Sequence, residues 1–250
     1  MLGRMTSKFV GLGAVTLLAL APLPGSVASA GTCPISIPQG SEPVTIDPAN
    51  FVRRIDNPHL PMTPGTRAIY RETDPDGNTQ KIKVTVTTRT REILGLTATV
   101  VHDLATEQGQ WVENTFDWYA QDVCGNVWYL GENTKEYENG VVVSTAGSWE
   151  AGVDGAQPGV IMPADPQVGL SYRQEYYAGE AEDAATILSL AEQAEVPYGH
   201  FSDVILTREY TPLHPKVLEY KLYAEGIGVV LVVAISGGSD REELIRFESP

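Results

Sequence analysis

A group of carboxylates in the second half of the chain is the first candidate for chemistry. The stretch "QEYYAGEAED" places Glu175, Glu180, Glu182 and Asp183 close together in the sequence. Oxygen ligands of this kind suit Ca²⁺, which makes calcium the candidate cofactor. Two of these carboxyls could instead act as the acid and base of a hydrolase. The simpler interpretation is a solvated acidic turn, because charge clusters usually lie on exposed faces.

Catalytic motifs are a second place to look for chemistry, and the sequence contains no HExxH, GxSxG or GxxxxGK[ST] signature. One histidine has a carboxylate neighbour, in the pair His102–Asp103, but adjacent residues of a strand point to opposite faces. The catalytic residues therefore stay unassigned. The leading interpretation is a protein without catalytic activity. The alternative is a calcium-dependent hydrolase of the cell envelope that uses the clustered carboxylates or His102.

Large aromatic residues indicate another kind of site. The stretch "DWYAQDVCGNVWYLGE" predicts a strand, a tight turn and a second strand, with two adjacent aromatic pairs. Because successive residues of a strand point to opposite faces, this hairpin carries rings on both faces and both must be covered. The rings fill a core or surround a cleft for a flat, apolar or sugar-like ligand. The predicted ligand-contacting residues are Trp118, Tyr119, Trp128, Tyr129, Trp149 and Tyr176.

The elements that must position these residues are mostly strands. From Arg67 onwards, short segments rich in β-branched residues alternate with Gly, Asn and Asp turns, which predicts an antiparallel meander with little helix over residues 67–250. Residues 31–66 are rich in Pro and Gly and are expected to form an extended N-terminal arm. Residues 146–169 are expected to form a long loop that covers the aromatic hairpin. Residues 180–196 fit a helical face, with a strand as the alternative.

The N-terminal region predicts export. Residues 1–30 combine two basic residues, an apolar run and the small-x-small motif "ASA", which together are typical of a secretory signal peptide. We therefore expect a destination in the periplasm or outside the cell, with no membrane span after the signal. In such a compartment the two cysteines, Cys33 and Cys124, are expected to form a disulfide.

The charge of the chain limits its partners. The formal net charge is −15, from 17 Lys and Arg against 32 Asp and Glu. A chain of this sign repels phosphate backbones, so nucleic acid is excluded as a partner. The charge is compatible with a solvated surface or with attraction for cations and cationic ligands. The oligomeric state is left open.

Three motifs resemble one family of proteins. The stretch "NPHLPMTPGTRAIYR" is similar to the N-P-x-x-P-L-x-P-G-T opening of many exported bacterial β-proteins. Their later V-P-x-G-x-F-x-D-V and Y-A-x-G-V-G-x-V strand signals are matched by "VPYGHFSDV" and "YAEGIGVV". The resemblance implies a curved, mostly antiparallel sheet of the open-barrel kind, with a strand before "VPYGHF". It implies no catalytic residue, because the family is largely uncharacterised.

Taken together, these patterns predict a mainly β fold, an antiparallel meander that forms a curved open barrel or half-barrel. The leading functional hypothesis is a non-catalytic exported protein that binds a small amphipathic or aromatic-compatible ligand in the concave face of its sheet. Besides the hydrolase, the other alternative is an envelope interaction or structural protein without a small ligand.

Overall fold

The computed structural model describes residues 35–250, so the expected signal peptide and Cys33 lie outside the described residues. The described chain contains sixteen strands and one short 3-10 helix at Pro48–Asn50. The strands are β1 Phe51–Val52, β2 Arg67–Thr73, β3 Thr79–Ile93, β4 Leu96–Glu107, β5 Gln110–Asp122, β6 Val127–Glu138, β7 Val141–Ser144, β8 Trp149–Glu150, β9 Gln157–Met162, β10 Ser171–Arg173, β11 Glu175–Tyr176, β12 Ala184–Val196, β13 Gly199–Tyr210, β14 Leu218–Ala224, β15 Gly228–Ser236 and β16 Arg241–Glu248.

The strands form one antiparallel sheet, in which thirteen follow the order β10-β12-β13-β14-β15-β16-β2-β3-β4-β5-β6-β9-β11. Of the other three, β1 pairs with β5, and β7 and β8 pair with β6. The two end strands of the sheet, β10 and β11, are consecutive in the chain and are separated only by Gln174. The sheet therefore curves until its ends meet, which makes it nearly a barrel with one unsealed seam. The predicted mainly β fold, an antiparallel meander curved into an open barrel, is confirmed.

Two-residue turns join several of the long strands. In the turn between β6 and β7, Asn139 and Gly140 have φ values of 51° and 77°. Two successive positive φ values define a type I′ turn, whose twist matches that of paired strands, and Asn-Gly is the sequence that favours it. The local sequence therefore dictates this hairpin, as the turn pattern predicted.

Residues 184–196 form the strand β12, not a helix. The helical spacing of their apolar residues is overridden because β12 lies between β10 and β13 and pairs with both. Ala185 and Ile187 are fully buried on the side that faces the interior of the barrel. A helix here would leave the edges of both neighbouring strands unpaired, which costs buried hydrogen bonds.

Residues 146–169 differ from the predicted loop, since they contain the strands β8 and β9. Both strands pair with β6, so this segment extends the sheet beside the aromatic hairpin and does not lie across its face. The edge of β6 presents unpaired N–H and C=O groups that require partners. The sequence did not predict β9 because it contains Pro158 and Gly159, and these two residue types usually indicate a loop.

The outer face of the hairpin is covered by the N-terminal arm. The ring of Phe51 meets the indole of Trp128 edge-on, with 6.0 Å between their centroids. Phe51 and Val52 also pair as β1 with the end of β5. Further apolar arm residues, Ile35, Ile37, Val44 and Ile46, pack against the same core.

Arg173 holds the seam together. Its Nη1 donates to the carbonyl oxygens of Gly40 and Glu42 in the arm, and its Nη2 donates to Pro158 O at 2.8 Å. Gly159 in β9 meets the chain at Gln174 so closely that a Cβ would lie 2.3 Å from the Gln174 carbonyl carbon. The seam therefore requires a residue without a side chain at position 159.

We expect Gly159→Ala to lower the free energy of unfolding by about 1–3 kcal/mol, the usual cost of forcing extra atoms into a packed site. Denaturant unfolding followed by circular dichroism measures this. Gly199→Ala is the matched control, because a Cβ there has no atom within 4 Å and the residue does not have a positive φ. Equal stability of the two variants would contradict the close packing of the seam.

Candidate functional site

The interior of the barrel contains a cavity of about 280 Å³. Its lining side chains come from β2 to β5, β9 and β14 to β16, and from residues 60–66 of the arm. Strands from several parts of the sheet therefore line one cavity. One part of its wall is apolar, and another part carries carboxyl, phenol and ammonium groups.

The apolar part includes a segment of the arm. Leu60, Pro61 and Met62 line it together with Ile161 and Phe247. Backbone hydrogen bonds hold this segment in place, since Met62 N donates to Ile55 O at 3.0 Å and Gly226 N donates to Pro58 O at 2.7 Å. The arm is thus part of the cavity wall and not a free extension.

The polar part carries Asp103, Asp117, Lys221 and Glu242, with several tyrosines beside them. Each of these four residues lies on a different strand. Because side chains alternate across a strand, each charged group points to the same face as apolar neighbours two residues away. The barrel interior is therefore mixed, with charges among apolar residues.

A tyrosine bridges two of the interior carboxyls. Tyr129 Oη lies 2.8 Å from Asp117 Oδ1 and 2.7 Å from Glu132 Oε2. A phenol donates only one proton, so both hydrogen bonds form together only when one carboxyl is protonated. Burial raises the pKa of Asp117 well above its ordinary value, and the Glu132 and Asp103 carboxylates raise it further. Burial therefore favours the protonated form of Asp117, which is the form that this arrangement requires of one of the two carboxyls.

The charge of Lys221 is matched within the protein. Its Nζ lies 2.6 Å from Glu209 Oε2, and Glu209 Oε1 accepts hydrogen bonds from Tyr223 Oη at 3.0 Å and Thr207 Oγ1 at 3.1 Å. Burial lowers the pKa of Lys221, but the Glu209, Glu219 and Asp183 carboxylates together raise it above its ordinary value, so the ammonium stays charged. Lys221 and Glu209 form a neutral pair.

Asp103 and Glu242 differ from these groups because neither carboxyl forms a hydrogen bond or ion pair with another described residue. Burial, with the Glu113 and Glu132 carboxylates, raises the pKa of Asp103 to about 7. Burial and the Asp103 carboxylate raise the pKa of Glu242 to about 8. Both residues also line a second cavity of about 550 Å³, whose wall is rich in glutamates.

The predicted aromatic residues divide between the two faces of the sheet. Tyr119 lines the barrel cavity. The ring of Tyr129 stacks on it at 4.9 Å, and Trp149 meets Tyr129 edge-on at 5.5 Å. Trp149 Nε1 donates to Glu175 Oε2 at 2.8 Å. These three rings form one group at the inner face.

The other three predicted aromatic residues do not line the barrel cavity. Trp118 lies beneath the guanidinium of Arg91, with 4.2 Å between the Arg91 Cζ and the ring centroid. Trp128 is covered by the arm, and its Nε1 donates to Asp122 Oδ2 at 2.8 Å. Tyr176 lies 5.7 Å from the guanidinium carbon of Arg173. Trp118 and Trp128 line two other clefts, so ligand binding by these three residues stays a prediction.

The four carboxylates proposed for calcium do not form one group. Glu175 and Asp183 are neighbours, since burial and then the Asp183 carboxylate raise the pKa of Glu175 to about 8. Glu182 Oε1 instead accepts from Gly179 N at 2.8 Å, and Glu180 is exposed. Within residues 35–250, no group of three or more His, Cys, Asp or Glu side chains is arranged to hold a metal ion. Calcium binding by this group, which includes Asp183, stays a prediction that the arrangement does not favour. The Cys33–Cys124 disulfide also stays a prediction.

The pair His102–Asp103 is divided by the sheet, as expected for neighbours in a strand. The His102 ring stacks on Phe116 at 4.5 Å, and its Nε2 lies 2.6 Å from Asn114 Oδ1. Asp103 instead faces the cavity. The two side chains therefore cannot act together as a base and its orienting carboxylate.

The interior charges were missed by the sequence analysis, although a signal for them exists. Asp103 stands between Val101 and Ala105, which are both buried and share its face of β4. A charged residue at the parity of buried apolar residues is unusual in a sheet with a dry core. Such a residue predicts a polar interior.

Comparison with known proteins identifies no family for the chain. No protein-family model matches it, and no curated protein is significantly similar. A solved structure of a candidate exported protein with a YmcC-like fold, from Bacteroides fragilis, is 14% identical, covers 76% of this chain and 99% of its own, and gives a TM-score of 0.43. The solved structure of a candidate lipoprotein from Parabacteroides distasonis is 13% identical to this chain. It covers 76% of this chain and 98% of its own length, with a TM-score of 0.42. The resemblance drawn from the motifs stays a prediction.

Residues 35–250 contain no helix with the length and apolarity needed to cross a membrane.

The raised pKa values predict how stability depends on pH. The folded protein keeps protons on Asp103 and Glu242 up to pH values of about 7 and 8. The unfolded chain releases the same protons near pH 4. The folded state therefore binds more protons in between, and the free energy of unfolding should fall as the pH rises from about 5 to about 9.

Denaturant unfolding at several pH values measures this dependence. We expect Glu242→Gln to make the decline shallower, because an amide does not titrate. Glu180→Gln is the control, since Glu180 is exposed, and its curve should run parallel to that of the unsubstituted protein. A Glu242→Gln curve with an unchanged slope would contradict the assignment.

Proposed function

We propose that this exported protein binds a small amphipathic molecule inside its barrel and has no catalytic activity. The observation that carries the proposal is the interior cavity of about 280 Å³, which has an apolar wall at Met62, Ile161 and Phe247 and a polar wall at Asp103 and Glu242. Ligand sites typically combine an apolar lining with a few placed polar groups.

The division of the cavity wall supports an amphipathic ligand. An alkyl or ring portion would lie against the apolar wall, where each Å² removed from water contributes about 25 cal/mol. A polar group would face the carboxyls, which have no partner among the described residues. A wholly apolar ligand would leave these groups desolvated, at a cost comparable to a lost hydrogen bond.

The alternative of an envelope hydrolase has less support. Glu175, Glu180 and Glu182 are not among the residues that line the barrel cavity. Glu175 is engaged by Trp149. The carboxylates proposed for catalysis therefore do not converge on the space that could hold a substrate.

Filling the cavity tests the proposal. We expect Val84→Phe to displace the ligand, because Val84 lines the cavity and a larger ring would occupy it. The protein would be purified, extracted with organic solvent and analysed by mass spectrometry. An amphipathic molecule should be present at near-equimolar amounts in the unsubstituted protein and depleted at least about tenfold in the variant, the change that 1.4 kcal/mol of lost affinity produces.

Val168→Phe is the matched control, because Val168 is 64% exposed and does not line the cavity. It should retain the extracted molecule. Circular dichroism would establish that both variants are folded. An extract without any stoichiometric small molecule, together with no binding of added amphiphiles, would contradict the proposal.

A further inference from the structure

We infer that the polar end of the ligand is a cation, an aliphatic ammonium group held between Asp103 and Glu242. This inference rests on the proposed function, because it concerns the same cavity. It adds the chemical class of the ligand, which neither the aromatic residues nor the size of the cavity specify.

The placement of the two carboxyls is the first argument. Asp103 on β4 and Glu242 on β16 line the same cavity, with β2 and β3 between their strands in the sheet. Tyr70 on β2 lies near both, and its hydroxyl already donates to Val229 O at 2.9 Å. The phenol proton is therefore not available to either carboxyl, and both face the cavity without a donor.

The balance of charge is the second argument. Of the described residues that line the cavity, Lys221 is the only Lys, Arg or His, and it is paired with Glu209 at 2.6 Å. Asp103, Asp117 and Glu242 share the same wall. An anionic head group would find no unpaired cation here and would oppose ionisation of the carboxyls, whereas an ammonium group would stabilise their carboxylate forms and supply up to three donors.

The apolar wall is the third argument, because it distinguishes this site from a binding site for a bare ion. The segment around Met62 and the side chains of Ile161 and Phe247 would enclose a hydrocarbon chain. A hydrated metal ion would gain nothing from that wall. An alkylamine satisfies both halves of the cavity at once.

The release of protons on binding provides a test of the cationic head group that does not depend on comparing affinities. The raised pKa values of both carboxyls mean that they hold protons near neutral pH when no ammonium ligand is bound, although the Lys221 charge lowers the pKa of Glu242 in part. Binding of an ammonium group would favour the carboxylates and release protons to the buffer. Affinity should therefore rise as the pH increases from 6 to about 8.5, where an alkylamine is still charged. The other titratable groups around the pair are Tyr70, Glu72, Glu113, Asp117, Glu132, Glu219 and Lys221.

A matched set of probes tests the inference: decylamine, decanol and decanoate, which share one chain length and differ in the head group. Isothermal titration calorimetry, with each probe below its micelle concentration, gives the three affinities. We expect decylamine to bind at least about tenfold more tightly than decanol, which corresponds to one charge-assisted hydrogen bond, and decanoate to bind most weakly. Titrations in buffers of different ionisation enthalpy should show proton release with decylamine only.

The double variant Asp103→Asn/Glu242→Gln should lose the preference for decylamine while it binds decanol about as well as before. The double variant Asp76→Asn/Glu180→Gln is the control, because it makes the same chemical changes at two exposed residues. It should keep the preference, which excludes an effect of net charge alone.

The outcomes separate the two proposals. If no probe binds and the purified protein contains no ligand, the proposed function fails. If decanol or decanoate binds as tightly as decylamine, the cavity binds amphiphiles but the inference of a cationic head group is overturned. Retention of the decylamine preference by the Asp103→Asn/Glu242→Gln variant would likewise overturn it.

Discussion

Closure of the sheet at its seam is the constraint on which the rest of the structure depends. The chain passes from β10 to β11 through a single residue, Gln174, and so joins one end of the sheet to β12 and the other end to β9. Arg173 bonds this junction to the arm and to Pro158, and Gly159 permits the close approach. Without these contacts the sheet would have two open edges and its inner face would be exposed to solvent.

The nearly closed sheet surrounds more space than its apolar side chains fill. Asp103 and Glu242 line two of the cavities at its inner face. Unpaired charges inside a fold are expensive, because burial disfavours their ionised form. The remaining interior charges are managed locally: Lys221 pairs with Glu209, and Tyr129 bridges Asp117 and Glu132. Asp103 and Glu242 form no such pair with another described residue. Departures from the usual rules of a packed interior, such as these two carboxyls, are expected at functional sites.

The aromatic hairpin illustrates what a sequence pattern can and cannot predict. Alternation along β5 and β6 predicted rings on both faces of the hairpin, and the cross-strand register brings Tyr119 opposite Tyr129 and Trp128 opposite Ala120. The identity of the covering segment could not follow from the same pattern, since it depends on which distant residues meet each face. The arm, through Phe51, covers Trp128, while β8 and β9 extend the sheet and bring Trp149 to the inner face.

The sequence by itself determined the strand pattern, the turn positions and the antiparallel meander, because these follow from alternation and from residues such as Asn139 and Gly140 that favour one backbone conformation. It left residues 184–196 ambiguous, and only pairing with strands on both sides made them a strand. The candidate site was decided by the tertiary structure alone. Asp103 and Glu242 are 139 positions apart in the chain (242 minus 103) and line one cavity because β16 pairs with β2, which brings its strand close to β4, an outcome that no local pattern encodes.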